Sequence, residues 1–192
     1  MYAGHVAVAL AARRFVRTPL WVLVLAAQGP DWGDAAAELF GVTVARESAW
    51  SPHGLPPVAL GAVLAAALAA RTSGRGWRAR GALVAAACYA SHWLCDLCTG
   101  YKPTWPGGPI VGYGLFDRPR LDFALETIVV LAGWAVWRGS LPGADVGSAG
   151  RDLGSARTRR RRLALQVGLL AALLALQAAA DWALGRGRTV LG

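Results

Sequence analysis

Apolar stretches alternate with charged segments along the chain of 192 residues. The stretches are nearly free of charge and cover residues 2–12, 18–30, 55–70, 81–95, 123–137 and 163–180. A membrane-spanning helix needs roughly 20 apolar residues, and runs of about 10–14 also occur as buried core helices. The first two stretches fall in that ambiguous range, whereas the last three are long enough if residues at their ends snorkel to the interface. The pattern predicts an all-α fold, a multi-pass transmembrane bundle of about five to six helices, with a soluble helical core as the alternative.

A single membrane-embedded domain is predicted for residues 1–192, because no internal repeat interrupts this pattern. Residues 139–162 are rich in glycine, serine and arginine and have no apolar period, which is typical of a flexible loop. The basic end of this segment leads into the last predicted transmembrane helix, residues 163–185.

Composition favours a membrane protein. Hydrophobic residues make up 55% of the chain and charged residues 16%, whereas a soluble domain has about 25% charged residues. The net charge of +9 would also suit a nucleic-acid ligand. The arginines, however, fall between the apolar stretches and do not line one amphipathic face. The predicted partner is therefore membrane lipid, and nucleic-acid binding is not expected.

The arginines also predict an orientation. They follow the first, third and fifth apolar stretches, so these loops lie on one side if each stretch crosses the membrane once. Positively charged loops stay in the cytoplasm, and this places the loop at 139–162 there. Both chain termini are then predicted to lie outside the cytoplasm.

All three histidines fall at the outer end of the predicted bundle, together with several carboxylates. His92 and Asp96 are four residues apart and share one helix face, and Asp122 and Glu126 have the same spacing. Helix bundles build metal sites from such pairs. Imidazole and carboxylate ligands suit zinc first, and also manganese or iron(II). The predicted metal ligands are His5, Asp31, His53, His92, Asp96, Asp122 and Glu126.

Most of these residues have an ordinary structural alternative. A lone interfacial histidine is commonly a solvated surface group, and Asp31, Asp34 or Asp122 could cap a helix or lie in an exposed turn. Glu126 is harder to explain in this way, because it lies inside an apolar helix, where ionisable groups are candidates for function. Taken together, the residues favour a metal site.

Short motifs add a family resemblance over residues 4 to about 137. The motifs are GHVAVAL, GPDWGD, the histidine of SPHGLP, SHWLCDLCTG, TWP and DFALE. They resemble the YdjM-type family of bacterial inner-membrane proteins, which are described as metal-dependent hydrolases. The family pattern has Pro-Asp-x-Asp where this chain carries its second carboxylate one position later, at Asp34, and it has Thr-His-Ser around the histidine that corresponds to His53.

A more distant resemblance is to zinc-dependent phospholipase C, which has a similar order of ligands but a histidine in place of Asp122. That resemblance implies more than one metal and phosphoester chemistry.

These observations lead to one functional hypothesis and one alternative. The hypothesis is a metal-dependent hydrolase in the bacterial inner membrane, with its site outside the cytoplasm and a small amphiphilic, phosphoester-like substrate. Asp31 and Asp34 are the candidate catalytic carboxylates, and Asp31 would bridge metals or orient water. The loop at 99–121 would cover the site. Its cations Lys102, Arg118 and Arg120 are candidate partners for a phosphate, and anchoring at the membrane interface is the equal alternative for them. The alternative is a non-catalytic transporter or scaffold, and the oligomeric state is left open.

Overall fold

Helices account for most of the chain in the computed structural model, which describes residues 2–43, 45, 47–140 and 156–189. The α-helices are α1 (Tyr2–Ala12), α2 (Leu20–Ala27), α3 (Gly29–Leu39), α4 (Leu55–Thr72), α5 (Arg78–Thr99), α6 (Pro119–Arg138) and α7 (Ala156–Thr189). Two short strands, β1 (Tyr101–Pro103) and β2 (Ile110–Gly112), pair antiparallel as a hairpin after α5. The predicted all-α fold is confirmed.

Two differences from the predicted elements concern the segments between the apolar stretches. No helix was predicted directly after residue 30, but α3 begins at Gly29. Pro30 and Asp31 stand in its first turn, where proline and acidic residues favour a helix start. The predicted loop at 139–162 is shorter than expected, since α7 already begins at Ala156. The part of that loop at 141–155 lies outside the described residues.

Helices α1 and α2 form the centre of the molecule. Ala3 and Ala7 on α1 and Leu23 and Ala27 on α2 are fully buried. Helix α6 packs closely on α1, since a Cβ atom at Gly133 would lie 2.4 Å from the carbonyl oxygen of Ala7. Small side chains at this contact let the two backbones approach one another.

Helices α4 and α5 form an antiparallel hairpin that fixes the position of the site. Only residues 73–77 connect them, so the start of α4 lies beside the end of α5. The ring of Tyr89 fills the space between α5 and two glycines: a Cβ atom at Gly29 or Gly61 would lie 2.0 or 2.1 Å from ring atoms. This packing ties α3, α4 and α5 together at one end of the molecule.

Arginine-bearing turns meet at the opposite end. The guanidinium groups of Arg17 and Arg80 lie 5.4 and 5.6 Å from the ring centroid of Trp77, within the range of a cation–π contact. The hydroxyl groups of Thr18 and Ser73 are hydrogen-bonded at 2.8 Å. The basic turns and the histidines thus occupy different ends of the helices.

Two helical segments, Leu55–Thr72 and Arg75–Thr99, are long and apolar enough to span a membrane. Only 17% and 28% of their most apolar windows are buried in the protein, and leucines such as Leu60, Leu64 and Leu83 are more than half exposed. A core helix of a soluble protein would be mostly buried, so these outward faces form an unusually large apolar surface. Helices α1 and α2 are shorter, with 11 and 8 residues.

Candidate metal centre

His92 and Asp96 form the inner wall of the site. They are successive inward positions on α5, and their side chains are 0% and 6% exposed. The Nδ1 atom of His92 lies 2.8 Å from the carbonyl oxygen of Ala27, at the end of α2. A carbonyl oxygen can only accept, so Nδ1 carries a proton and donates. In the neutral ring, Nε2 therefore presents a lone pair towards Asp96, whose Oδ2 atom is 3.4 Å away.

His53 enters from the turn that precedes α4. This turn packs against α3, where a Cβ atom at Gly33 would lie 3.0 Å from Pro52. The turn is also tied to the hairpin, because the Leu55 amide donates to the carbonyl oxygen of Thr104. The Nδ1 atom of His53 lies 3.2 Å from Oδ2 of Asp34, and its Nε2 atom therefore points to the other side, towards α5.

Four ligand-type atoms converge between α3, α4 and α5: Nε2 of His53, Nε2 of His92, Oδ2 of Asp96 and Oδ1 of Asp31. The two imidazole nitrogens are 3.2 Å apart. The distances from Nε2 of His53 are 3.3 Å to Asp96 and 3.5 Å to Asp31. The distances from Nε2 of His92 are 3.4 Å to Asp96 and 3.5 Å to Asp31. We call these four residues the central cluster.

The distances in the central cluster suit the ligands of one metal ion. Ligand atoms about 2.0–2.2 Å from a tetrahedrally bound zinc ion lie roughly 3.3–3.6 Å from one another. The ligand atoms of His53, His92 and Asp96 are 3.2 to 3.4 Å apart, and Oδ1 of Asp31 is 3.5 Å from both imidazole nitrogens. Two imidazoles and two carboxylates are also a donor set that zinc, manganese and iron(II) accept. His53, His92 and Asp96 can therefore hold a metal ion.

Hydrogen-bond roles support the same conclusion. The carboxylates of Asp34, Asp31 and Asp96 can only accept when ionised, and Oδ2 of Asp34 lies 3.2 Å from Nδ1 of His53. Asp31 and Asp96 thus direct carboxylate oxygens at the Nε2 atoms of both imidazole rings. This negative charge favours a cation or an added proton between these groups.

Neighbouring charges shift the pKa values of His53 and Asp31, the two cluster residues that lie outside the apolar helices. Burial opposes the charged form of His53, but hydrogen bonds to Asp31 and Asp96 raise its pKa above the usual 6.5. Burial also opposes ionisation of Asp31, but the hydrogen bond from His53 and the nearby rings of His92 and His5 hold its pKa below the usual 3.8. The site therefore favours a negative Asp31 and stabilises positive charge beside it.

His5 lies behind the central cluster. Its ring stacks on that of His92, with centroids 3.7 Å apart, and its Nε2 atom is 3.2 Å from Oδ1 of Asp96. Its Nδ1 atom is buried and has no hydrogen-bond partner among the described residues. His5 also forms a second possible metal-binding group with Asp31 and His92. Asp96 contacts all three histidines, so it, rather than Asp31, is the central carboxylate.

Helix α6 carries the other two predicted ligands. Asp122 and Glu126 are both buried, but neither belongs to a possible metal-binding group of the described residues. Oε1 of Glu126 accepts a hydrogen bond of 3.0 Å from the amide of Gly4. A carboxylate at this position satisfies a free N–H group in the first turn of α1. Glu126 thus anchors the helix that carries His5.

Lys102 extends from β1 into the site. Its Nζ atom lies 2.7 Å from Oδ2 of Asp96, the same oxygen that belongs to the central cluster, and its side chain is 14% exposed. Arg118 and Arg120 are exposed. The predicted cover at 99–121 is the β1–β2 hairpin, whose last residues are held to α5 by a hydrogen bond from the Tyr113 amide to the carbonyl oxygen of Leu97.

A separate pocket of about 420 Å³ borders the hairpin. Its lining includes Thr99, Tyr101, Ile110, Phe116 and Asp117. It contains no residue of the central cluster, so the two features are distinct.

The sequence alone did not reveal the Ala27 carbonyl group that orients His92 or the contact between Lys102 and Asp96. A backbone carbonyl leaves no signal in a side-chain motif, and the ion pair joins a helix to a hairpin. No protein-family model, curated protein or solved structure matches this chain, so its function is inferred from these residues and their geometry.

Proposed function

We propose that this protein is a membrane-bound, metal-dependent hydrolase whose site opens at the outer face of the bacterial inner membrane. The observation that carries the proposal is the group formed by His53, His92 and Asp96, whose ligand atoms lie 3.2 to 3.4 Å from one another and can hold a metal ion. Zinc is the first candidate, with manganese and iron(II) as alternatives. The proposed substrate is a small amphiphilic molecule with a phosphoester-like group.

The residues of the site have different roles: some would bind the metal ion and others would orient water or a ligand. His53, His92 and Asp96 would hold the ion. The bound ion would act as a Lewis acid that polarises the scissile group and activates water. Asp31 has a side chain that is 28% exposed, against 6% for Asp96. Asp31 is therefore the carboxylate that incoming water reaches, and as an ionised hydrogen-bond acceptor it would orient that water. Asp34 would orient the ring of His53.

The membrane location rests on the exposed apolar faces of α4 and α5 and on the separation of charges. A bilayer would cover leucines that water would otherwise contact. The arginine-bearing turns lie at the other end of these helices from the central cluster, and the positive-inside rule assigns that end to the cytoplasm. A multi-pass arrangement with both termini outside follows from this orientation.

Metal content of the purified protein tests the proposal. Protein purified in detergent without chelator should contain about one or more equivalents of zinc, manganese or iron. The double variant His92→Ala, Asp96→Ala should lose the metal. Glu38→Ala, which removes an exposed acid from α3, is the matched control and should retain it.

Turnover then separates a hydrolase from a non-catalytic binder. The loaded protein should hydrolyse a member of a panel that contains phosphatidic acid and soluble phosphate mono- and diesters. Wild-type protein that cannot be loaded with any of the three metals would refute both metal binding and hydrolysis. Metal binding without turnover of any panel member would refute the hydrolase and favour the transporter or scaffold.

A further inference from the structure

Lys102 has no assigned role in the proposed hydrolase, although it contacts the central cluster. Its Nζ atom is 2.7 Å from Oδ2 of Asp96, and that oxygen is also 3.3 and 3.4 Å from the Nε2 atoms of His53 and His92. A single carboxylate oxygen thus faces both an ammonium group and the proposed metal position.

A bound metal ion and the ammonium group of Lys102 would compete for the carboxylate of Asp96. A divalent ion held by the central cluster would take most of the negative charge of Asp96 and would repel an ammonium group a few ångströms away. Lys102 has a flexible four-carbon stem and strong hydration, and its strand lies in a two-stranded hairpin at the surface. Its ammonium group can therefore turn away from Asp96 without disturbing the helices.

We propose that Lys102 is the anion-binding residue of the site and that metal binding releases it for this role. This inference rests on the proposed function. The substrate would be a compound whose anionic oxygens, such as those of a phosphate group, lie between the metal and Lys102. An anion there relieves the repulsion between the two cations. Of the three cations that the sequence left open, Lys102 alone has a described ion pair with a cluster residue.

The proposal requires opposite effects on metal and anion binding. Lys102→Met removes the competing charge and keeps the apolar stem, so zinc should bind more tightly, on the order of tenfold. Inorganic phosphate should strengthen zinc binding to the wild type, because each ligand favours the other, and this coupling should vanish in Lys102→Met. Lys102→Arg should preserve it. Arg120→Met removes an exposed cation near the hairpin and should behave as the wild type.

Zinc affinity is measured by competition with a chromogenic chelator, with and without phosphate. A second arm replaces phosphate by phosphatidic acid at about one lipid in ten in phosphatidylcholine nanodiscs. Coupling to lipid alone would assign a headgroup phosphate, and coupling to free phosphate alone would assign a soluble phosphoester. Either result supports the anion site.

Three results would overturn the inference. If Lys102→Met weakens zinc binding and lowers the melting temperature, the residue is a structural tether. If the variant binds zinc like the wild type and retains the phosphate effect, it has no part in anion binding. If wild-type protein binds no metal, the inference fails together with the proposed function, whereas the first two results leave metal binding intact.

Discussion

The Nδ1 atom of His92 donates a hydrogen bond of 2.8 Å to the carbonyl oxygen of Ala27. This contact links the middle of the site to the end of a different helix and fixes the tautomer of the ring. It leaves Nε2 as the only nitrogen of His92 that can bind a metal ion. Since the bond ends on backbone, no side-chain substitution at residue 27 removes it, and the orientation of His92 is part of the fold.

Oδ2 of Asp34 lies 3.2 Å from Nδ1 of His53, and we expect this carboxylate to orient the ring. Substitution of Asp34 tests this role. Asp34→Asn should leave the ligands in place but weaken the preference for a proton on Nδ1. Loss of a carboxylate that orients a metal-binding histidine typically lowers metal affinity about 10–100-fold. The zinc affinity of Asp34→Asn should fall by this factor, and Asp96→Asn, which alters a ligand, should weaken zinc binding at least as much. Unchanged zinc affinity in Asp34→Asn would show that this carboxylate does not support the site.

Metal binding should depend on pH in a defined direction. A bound metal must replace the proton that the raised pKa of His53 retains. The apparent affinity for zinc should therefore rise as the pH increases through the pKa of His53, above 6.5. Calorimetry in buffers of different ionisation enthalpy should detect the released proton. A zinc affinity that does not change between mildly acidic and alkaline pH would exclude His53 as a ligand.

The stability of chelator-treated protein should fall as the pH becomes alkaline, whereas the zinc affinity rises over the same range. The raised pKa of His53 means that its contribution to stability is present at low pH and is lost as the pH rises through the folded value. The lowered pKa of Asp31 means that its contribution is lost as the pH falls through its folded value, below 3.8. The melting temperature should thus be highest between these limits, and zinc should restore the stability lost at alkaline pH.

Close packing at Tyr89 gives a prediction about stability. A Cβ atom at Gly61 would lie 2.1 Å from the ring of Tyr89, so Gly61→Ala should destabilise the protein by about 1–3 kcal/mol through overpacking. Gly168→Ala, also within a helix but with no atom near the new Cβ, should be neutral or slightly stabilising. Thermal melts of the two variants in the same detergent should differ. Equal melting temperatures would contradict this packing.

Orientation in the membrane can be read from reporter fusions. A reporter placed after Arg157 should be cytoplasmic, and one inserted at the tip of the β1–β2 hairpin, after Gly107, should be external. Paired reporters, one active on each side of the membrane, distinguish the two locations. The reverse pattern would place the central cluster in the cytoplasm and would redirect the search for its substrate.

The sequence by itself determined the helical fold and the residues that form the cluster. Apolar stretches bounded by charges define helices because each helix satisfies its own backbone and needs only local information. The spacing of His92 and Asp96 likewise fixes a shared face within one helix. Helix α3 was missed because two glycines, a proline and three acidic residues interrupt its apolar positions, although Pro30 and Asp31 mark a helix start.

Only the tertiary structure decided which groups meet. Histidines from α1, α5 and the turn before α4 converge on Asp96, and Glu126 instead holds the amide of Gly4. Distances between helices depend on small contacts, such as Gly133 against Ala7, which side-chain patterns do not encode. The tautomer of His92 and the pairing of Lys102 are set by groups remote in sequence, so they follow from packing alone.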